Sequence, residues 1–155
     1  MRHITAKICF VVMLFSMSTY SFGYSDETEK ALHKVRFQYQ MFCQGCHVGD
    51  GRGGKDVPDM RDHIGAFLTI PQGRDYLIQV PGSANAAVNN EDLANLMNWI
   101  VVEFGGESTP DNFKPYTSEE VGRLRQSPLT EVTEYRKGLV QKIALNKGTN
   151  REESQ

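Results

Sequence analysis

Cys43-Gln44-Gly45-Cys46-His47 is the most specific stretch of this 155-residue chain. Its two thiols stand three residues apart, and an imidazole follows the second thiol directly. Cys-x-x-Cys-His is the attachment motif of a c-type haem. At this spacing the two sulfurs reach the two vinyl groups of one porphyrin, and the next residue lies under the ring. We therefore predict one covalently bound haem c, with thioether bonds from Cys43 and Cys46 and iron ligation by His47.

The composition is that of one soluble globular domain. A chain of 155 residues is too short for two domains of ordinary size. Hydrophobic residues make up 39% and charged residues 23%, which leaves enough apolar surface for a core. The formal net charge of -2 lacks the basic excess with which proteins bind nucleic acid. We therefore expect no nucleic-acid partner.

The first 23 residues differ from the remainder. Arg2 and Lys7 make a positive start, residues 8–17 are apolar and uncharged, and small and polar residues follow up to Gly23. This is the layout of a secretory signal peptide. A membrane anchor is the alternative, but the apolar run is about half the length that spans a bilayer. We predict a signal peptide at 1–23, a periplasmic protein, and no stable membrane insertion after cleavage.

Export agrees with the haem motif, because bacteria attach haem covalently outside the cytoplasm. Cleavage would remove Cys9 and leave Cys43 and Cys46 as the cysteines of the mature chain. Structural zinc requires four ligands, and the mature chain would have to recruit histidines at poor spacings. A thioredoxin-like role is disfavoured because no βαβ pattern surrounds the cysteines.

Hydrophobic periodicity predicts an all-α chain without strands. Apolar residues recur at steps of three and four in several segments, and capping residues precede two of them. Asn89 or Asn90 can cap the clearest helix, and Thr117 begins a capping box. The predicted helices are 26–42, 91–104, a short one from 118 to about 126, and a longer one from 128 to about 145.

The segments between these helices are predicted mostly as loops. Glycine-rich residues 48–59 are expected to wrap one side of the haem, since no strand precedes them and the phosphate-binding lysine motif is missing. Gln72-Gly73 indicates a turn. Residues 75–80 can be a short helix or an extended piece, residues 81–90 are expected to be a loop, and the tail from Asn146 is expected to fray.

Over roughly residues 28–104 the chain resembles the class I (monohaem) cytochromes c. The matching features are the helix that ends at Phe42, the motif that follows it, Pro58 in the next loop, and the helix at 91–104. The resemblance implies a cytochrome c domain at 24–106, wrapped around one covalent haem. It also implies that the Pro58 carbonyl accepts the proton on the far nitrogen of His47. Residues 107–155 lie outside the family's core and are similar to the two-helix C-terminal extension of some proteobacterial periplasmic members.

The chain departs from the family on the other face of the iron. The family usually places a methionine ligand just before a proline and ahead of the last helix. That place here is Gln79-Val80-Pro81, and valine cannot bind iron. Met97, in the last helix, is expected to be core. The remaining alternatives for the second axial ligand are Met60, His63, Asn85 or no ligand at all.

The resemblance implies a single-electron carrier rather than an enzyme, with a dehydrogenase, an oxidase or both as redox partners. The extension would either dock the carrier onto one dedicated dehydrogenase or cover an apolar flank of the core. The alternative function is a haem-based module that binds or senses a small ligand at an open or weakly ligated face, and Val80 motivates it. Arg74 is interpreted as a surface residue or a partner of a haem propionate.

Overall fold

The structure is a computed structural model that describes residues 22–152, with side chains described for residues 26–148. The predicted signal peptide therefore lies outside the described residues, apart from its last two positions. The described part of the chain is helical and contains no strand, so the all-α prediction is confirmed. None of its helices is both long and apolar enough to cross a membrane.

The helices follow one another with short connections. In chain order the described elements are α1 (Phe22–Phe42), α2 (Gln44–His47), the 3-10 helix η1 (Ile64–Thr69), α3 (Pro71–Gln79), α4 (Pro81–Ala84), α5 (Asn90–Phe104), the 3-10 helix η2 (Gly106–Ser108), α6 (Ser118–Leu124) and α7 (Val132–Glu152).

The chain divides into two units between Lys34 and Val35. In the described part of the first unit, the Lys30 ammonium pairs with Asp26 at 2.7 Å and with Glu27 at 3.7 Å, both within one turn of helix. Such exposed pairs contribute little to stability. The hydrophobic core belongs to the second unit.

Helix α5 lies at the centre of that core. The Asn89 side chain caps it by accepting a hydrogen bond from the Asp92 amide at 2.8 Å, and Gly105 follows its last residue. Its apolar positions recur at steps of three and four, so one broad face is buried. The buried residues of α5 are Leu93, Ala94, Leu96, Met97, Ile100, Val101 and Phe104, which confirms the predicted core face and Met97 as core.

Helices on either side complete the core. Helix α3 contributes three buried side chains beside its glycine, α6 contributes two and α7 contributes two. Thr117 caps α6 as predicted, because its hydroxyl accepts a hydrogen bond from the Glu120 amide at 3.2 Å. The reciprocal half of the predicted capping box is not formed, since the Glu120 carboxylate pairs with Arg74 instead. The core residues from these helices are Tyr76, Leu77, Ile78, Val121, Leu124, Leu139 and Ile143.

The predicted turn at Gln72-Gly73 is wrong, because both residues lie in the first turn of α3. Pro71 occupies the first position of this helix, where its missing amide proton costs nothing. Gly73 packs directly against the carbonyl of Phe67, and a Cβ at this position would collide with that oxygen. The glycine therefore marks a close approach between η1 and α3, which the sequence pattern alone does not distinguish from a turn.

Two other boundaries differ from the prediction. Residues 81–90 are not wholly a loop, since Pro81–Ala84 form α4, with the amides of Ser83 and Ala84 both bonded to the Val80 carbonyl at 2.9 Å. The last helix begins at Val132 rather than near 128, because the Leu129 amide donates to the Gln79 carbonyl at 2.9 Å. It then continues past Asn146 to Glu152, where the sequence predicts a frayed tail.

Candidate haem-binding site

The Cys-x-x-Cys-His stretch forms a single helical turn directly after α1. The amides of Cys46 and His47 both donate to the Cys43 carbonyl, at 3.1 and 2.9 Å, and the Cys43 amide donates to the Tyr39 carbonyl at 2.9 Å. Residues three and four apart lie on the same side of a helix. The turn therefore presents both thiols and the imidazole together. Cys43 is half-buried, Cys46 is exposed, and both thiols are free.

The surroundings of Cys43 disfavour its thiolate. Its burial, and secondarily the neighbouring Cys46, raises the pKa of the Cys43 thiol to about 11. The thiolate is the nucleophilic form of cysteine, and catalytic cysteines lower their pKa to populate it. The environment of Cys43 has the opposite effect, which argues against a thioredoxin-like role and suits a thiol that is to be buried beside an apolar ring.

The surroundings of His47 favour its neutral imidazole. Burial away from water lowers the pKa of His47, and the Pro58 backbone raises it by a smaller amount. The lowered pKa favours the neutral imidazole, which is the form that ligates metals. Its Nδ1 atom is buried and makes no complete hydrogen bond with any described residue. An orphaned Nδ1 near a proline carbonyl fits a histidine whose other nitrogen binds iron, with the carbonyl orienting the ring.

The loop after the motif, residues 48–62, packs against the carboxyl end of α5; we call it the histidine-side loop. Gly51 has a φ of +78° and a Cβ there would lie 2.7 Å from the Phe104 ring, so only glycine fits. The Asp62 amide donates to the Phe104 carbonyl at 2.8 Å. The Tyr39 hydroxyl donates to the Val48 carbonyl at 2.6 Å. These contacts fix the loop that contains Pro58.

Aromatic rings join α1 to α5 beside the motif. The rings of Tyr39, Trp99 and Phe104 lie with their centroids 5.3 to 5.6 Å apart. Such tilted and edge-on pairs stabilise beyond the area that they bury. The Trp99 Nε1 atom is buried without a hydrogen-bond partner among the described residues. A rigid aromatic wall thus stands beside the half-buried Cys43.

Two of the three candidates for the second axial ligand are neighbours, since the His63 amide donates to the Met60 carbonyl at 3.2 Å, and the third lies in another element. Met60 is buried in the histidine-side loop, where its amide donates to the Gly51 carbonyl at 3.0 Å. His63 is exposed, and its Nδ1 contacts the Arg61 carbonyl at 2.6 Å. Asn85 is exposed at the end of α4. The structure does not bring all three residues together, and ligation by Met60 stays a prediction.

Residues 79–90, which connect α3 to α5, are the other candidate wall; we call them the bridging segment. Their sequence contains no histidine, methionine, cysteine or lysine. The apolar side chains of Val80, Ala86 and Val88 are half-buried against the core. The Ser83 hydroxyl lies 3.9 Å from the Met97 sulfur. This segment can cover an apolar ring but offers no strong iron ligand.

Arg74 is neither a surface residue nor a free partner for a propionate, so that interpretation is wrong. Its guanidinium pairs with the Glu120 carboxylate at 2.6 and 2.7 Å and lies 4.1 Å from the centre of the Tyr116 ring. It also donates to the carbonyls of Lys114 and Pro115. Glu120 stands 46 residues away in the chain, and no local pattern indicates that contact.

Comparison with known proteins identifies the family. No protein-family model matches the chain. The chain is similar to cytochrome c-552 of Thermus thermophilus, 32% identical over 107 residues that cover 57% of this chain and 82% of the relative. A second cytochrome c-552 of the same species is also 32% identical over 107 residues, which cover 72% of that protein. The chain belongs to the class I cytochromes c, haem c proteins that transfer electrons between redox protein partners.

Proposed function

We propose that this protein is an exported monohaem electron carrier, with haem attached at Cys43 and Cys46 and His47 as the axial iron ligand. The observation that carries the proposal is the buried Nδ1 of His47. This atom has no hydrogen-bond partner among the described residues, although the Pro58 backbone is close enough to raise the pKa of the ring. An imidazole in this state is oriented for ligation through its other nitrogen.

The chain's own residues would then position the cofactor. The bound haem supplies reversible one-electron chemistry at its iron. Cys43 and Cys46 would hold a haem from one helical turn, and the Pro58 carbonyl would orient the imidazole by accepting its Nδ1 proton. The buried rings of Tyr39, Trp99 and Phe104 would keep water from the side of the group next to them. Burial and axial ligation together set the reduction potential of such a site.

The surface around the motif suits a transient redox partner. Cys46 is exposed, and the large apolar side chains of Met41, Phe42 and Val48 beside it are exposed as well. Electron-transfer complexes have small interfaces that release quickly. We propose a periplasmic dehydrogenase or oxidase as the partner class, possessing an apolar patch where it meets this motif. A single dedicated dehydrogenase is the narrower form of this proposal.

A second function is favoured by the bridging segment. Because residues 79–90 lack a histidine or methionine, the second face of the iron can stay weakly ligated. A haem with an open face binds small diatomic molecules, and the protein would then be a binding or sensing module.

Electrochemistry and carbon monoxide binding on the purified mature protein separate the two functions. A carrier gives a reversible one-electron wave with fast electron exchange, and its ferrous spectrum changes slowly or not at all under carbon monoxide. Rapid carbon monoxide binding combined with sluggish electron exchange would reject the carrier and support the binding module.

A further inference from the structure

The bridging segment makes only short-range hydrogen bonds within itself. The amides of Ala84, Asn85, Ala86 and Val88 donate to carbonyls two to four residues earlier, at 2.8 to 3.2 Å. These bonds shape single turns, and residues 81–88 make no backbone–backbone hydrogen bond with another described element. The Val80 amide joins the beginning of the segment to α3, and its half-buried valines and alanine rest on the core. A one-turn helix such as α4 is not stable alone, because helix formation has a costly nucleus. The segment therefore depends on neighbouring elements for its position.

The C-terminal extension provides that support through one side chain. The Arg125 guanidinium donates to the carbonyls of Ala84 at 3.0 Å, Ala86 at 2.6 Å and Val88 at 2.8 Å. It also lies 3.3 Å from the Asn90 side-chain oxygen. The planar guanidinium has five donors in a fixed geometry, and bonds from a charged donor are stronger than neutral ones. One arginine thus binds three carbonyls, those of every second residue from Ala84 to Val88.

A second contact holds the beginning of the segment. The Leu129 amide, just after α6, donates to the Gln79 carbonyl at 2.9 Å. Helix α6 itself is packed in the core through the buried side chains of Val121 and Leu124. Arg125 directly follows Leu124, the last residue of this packed helix, so the extension contacts the bridging segment near both ends.

The bridging segment and the histidine-side loop lie at opposite ends of α5. The loop packs on Phe104, the last residue of α5, whereas the segment leads into Asn90, its first residue. A helix of 15 residues is about 20 Å long. The family places its second iron ligand just before the proline ahead of the last helix, and Val80 occupies that position in this chain. We therefore expect the bridging segment to face the side of a bound haem opposite the histidine-side loop.

We propose that Arg125 is a positioning residue for the second face of the haem. It fixes the bridging segment over that face and so limits the access of water and small ligands to the iron. This inference rests on the proposed haem site. It assigns the extension a role inside the cofactor pocket, besides any role in docking a partner. Because the segment offers no strong iron ligand, its fixed position rather than a bond to the iron limits the access of small molecules to that face.

The test compares Arg125→Ala and Arg125→Lys with the wild-type holoprotein. The matched control is Arg123→Ala, since Arg123 is exposed on the same helix and makes no hydrogen bond or ion pair with any described residue. Two quantities are measured: the association rate of carbon monoxide with the ferrous form, and the amide hydrogen exchange of residues 84–88. Circular dichroism reports whether each variant is folded.

The proposal predicts that Arg125→Ala raises the carbon monoxide association rate and the exchange of these amides by about tenfold or more. Arg125→Lys keeps the charge but can reach fewer carbonyls, so it gives a smaller increase and keeps the test available if the alanine variant does not fold. The exchange rates of the Met60 and Ile64 amides, which donate to the carbonyls of Gly51 and Met60, should be unchanged in the Arg125 variants. Arg123→Ala should match the wild type in both measured quantities.

Two results would overturn the proposal. An unchanged carbon monoxide rate in both Arg125 variants, including no binding by any of the proteins, would show that the residue does not control the haem face. Faster exchange spread evenly over the whole chain would show a general loss of stability instead. A wild-type protein that carries no covalent haem would reject the proposed function itself, and its absorbance spectrum reveals this before any variant is compared.

Discussion

The histidine-side loop and the bridging segment are built by different means. The histidine-side loop is held by residues on either side of it within residues 39–104: Gly51 and Asp62 contact Phe104, and the Tyr39 hydroxyl donates to the Val48 carbonyl. The bridging segment is held in addition by Arg125, which donates to three of its carbonyls from beyond residue 106. One candidate wall is therefore fixed from within residues 39–104, and the other also receives support from residues 107–155.

On our proposal the 49 residues from 107 to 155 take part in the site, because Arg125 supports a segment that carries no strong iron ligand. Variants in the two regions should then have different consequences. Changes in the loop should affect the histidine, and changes in the extension should affect the opposite face.

The largest effect is expected at Gly53, in the histidine-side loop. A Cβ at Gly53 would collide with the Val57 carbonyl oxygen and lie 2.6 Å from the Pro58 carbonyl carbon. Gly53→Ala must displace the backbone beside His47, and we expect it to lower the free energy of unfolding by about 2–3 kcal/mol. Urea unfolding of the holoprotein measures this loss.

The adjacent glycine is the matched control for that variant. The nearest atom to a Cβ at Gly54 is the Cys46 carbonyl oxygen at 3.8 Å, an ordinary contact. Gly54→Ala should therefore change the free energy of unfolding by less than about 0.5 kcal/mol. Equal losses for the two variants would contradict the close approach of Gly53 to the Pro58 backbone.

Arg74→Ala tests the attachment of the extension to the core, apart from the bridging segment. The variant loses the ion pair between Arg74 and Glu120, two side chains that are 20% and 22% exposed. It also loses the hydrogen bonds from Arg74 to two backbone carbonyls. We expect a loss of about 2 kcal/mol in the free energy of unfolding. A double-mutant cycle with Glu120→Gln should give a coupling of about 1 kcal/mol.

Lys137→Ala is the control for this cycle. Lys137 pairs with Glu134 at 3.8 Å, but both side chains are mostly exposed, and such pairs contribute at most about 0.5 kcal/mol. If Arg74→Ala is no more destabilising than Lys137→Ala, the extension is not attached to the core through Arg74.

Asn89→Ala should have a smaller effect, at the junction of the bridging segment and α5. The variant removes the acceptor for the Asp92 amide, and the loss of such a cap costs about 1 kcal/mol. Because the Asn89 amide also donates to the Asp92 carboxylate at 3.3 Å, an uncharged replacement is the right control. Asn89→Ser keeps a capping acceptor without adding a negative charge and should recover most of the stability in thermal or urea unfolding. A loss as large in the serine variant as in the alanine variant would mean that the cap is not the cause.

The smallest effect concerns the exposed surface of the histidine-side loop. Hydrogen bonds from the Arg61 side chain and amide lower the pKa of Asp59 to about 2. A lowered pKa in the folded protein means that this carboxylate adds stability above its usual pKa of 3.8 and loses it as the pH falls toward 2. Carbon-13 NMR titration should show this low pKa in the wild type and a higher one in Arg61→Gln. A wild-type pKa near 3.8 would show that the Asp59–Arg61 pair is absent in solution.

The sequence was sufficient for the features that depend on local patterns. The helix around Leu96, its Asn89 cap and the Thr117 cap follow from spacing and side-chain chemistry over a few residues. Gly73 was misinterpreted because a glycine in a close helical contact and a glycine in a turn have the same sequence signal. Arg74 and Arg125 could not be assigned, because their partners lie at least 35 residues away and an arginine has no pattern that indicates its acceptors.

Intact mass spectrometry of the purified protein, denatured in acid with a reductant, asks whether haem is bound through thioether bonds. We predict that each chain keeps the mass of one haem under these conditions, and that this mass maps to the peptide containing Cys43 and Cys46. A chain with two free thiols at these positions, or a purified protein that contains zinc and no haem, would contradict this prediction.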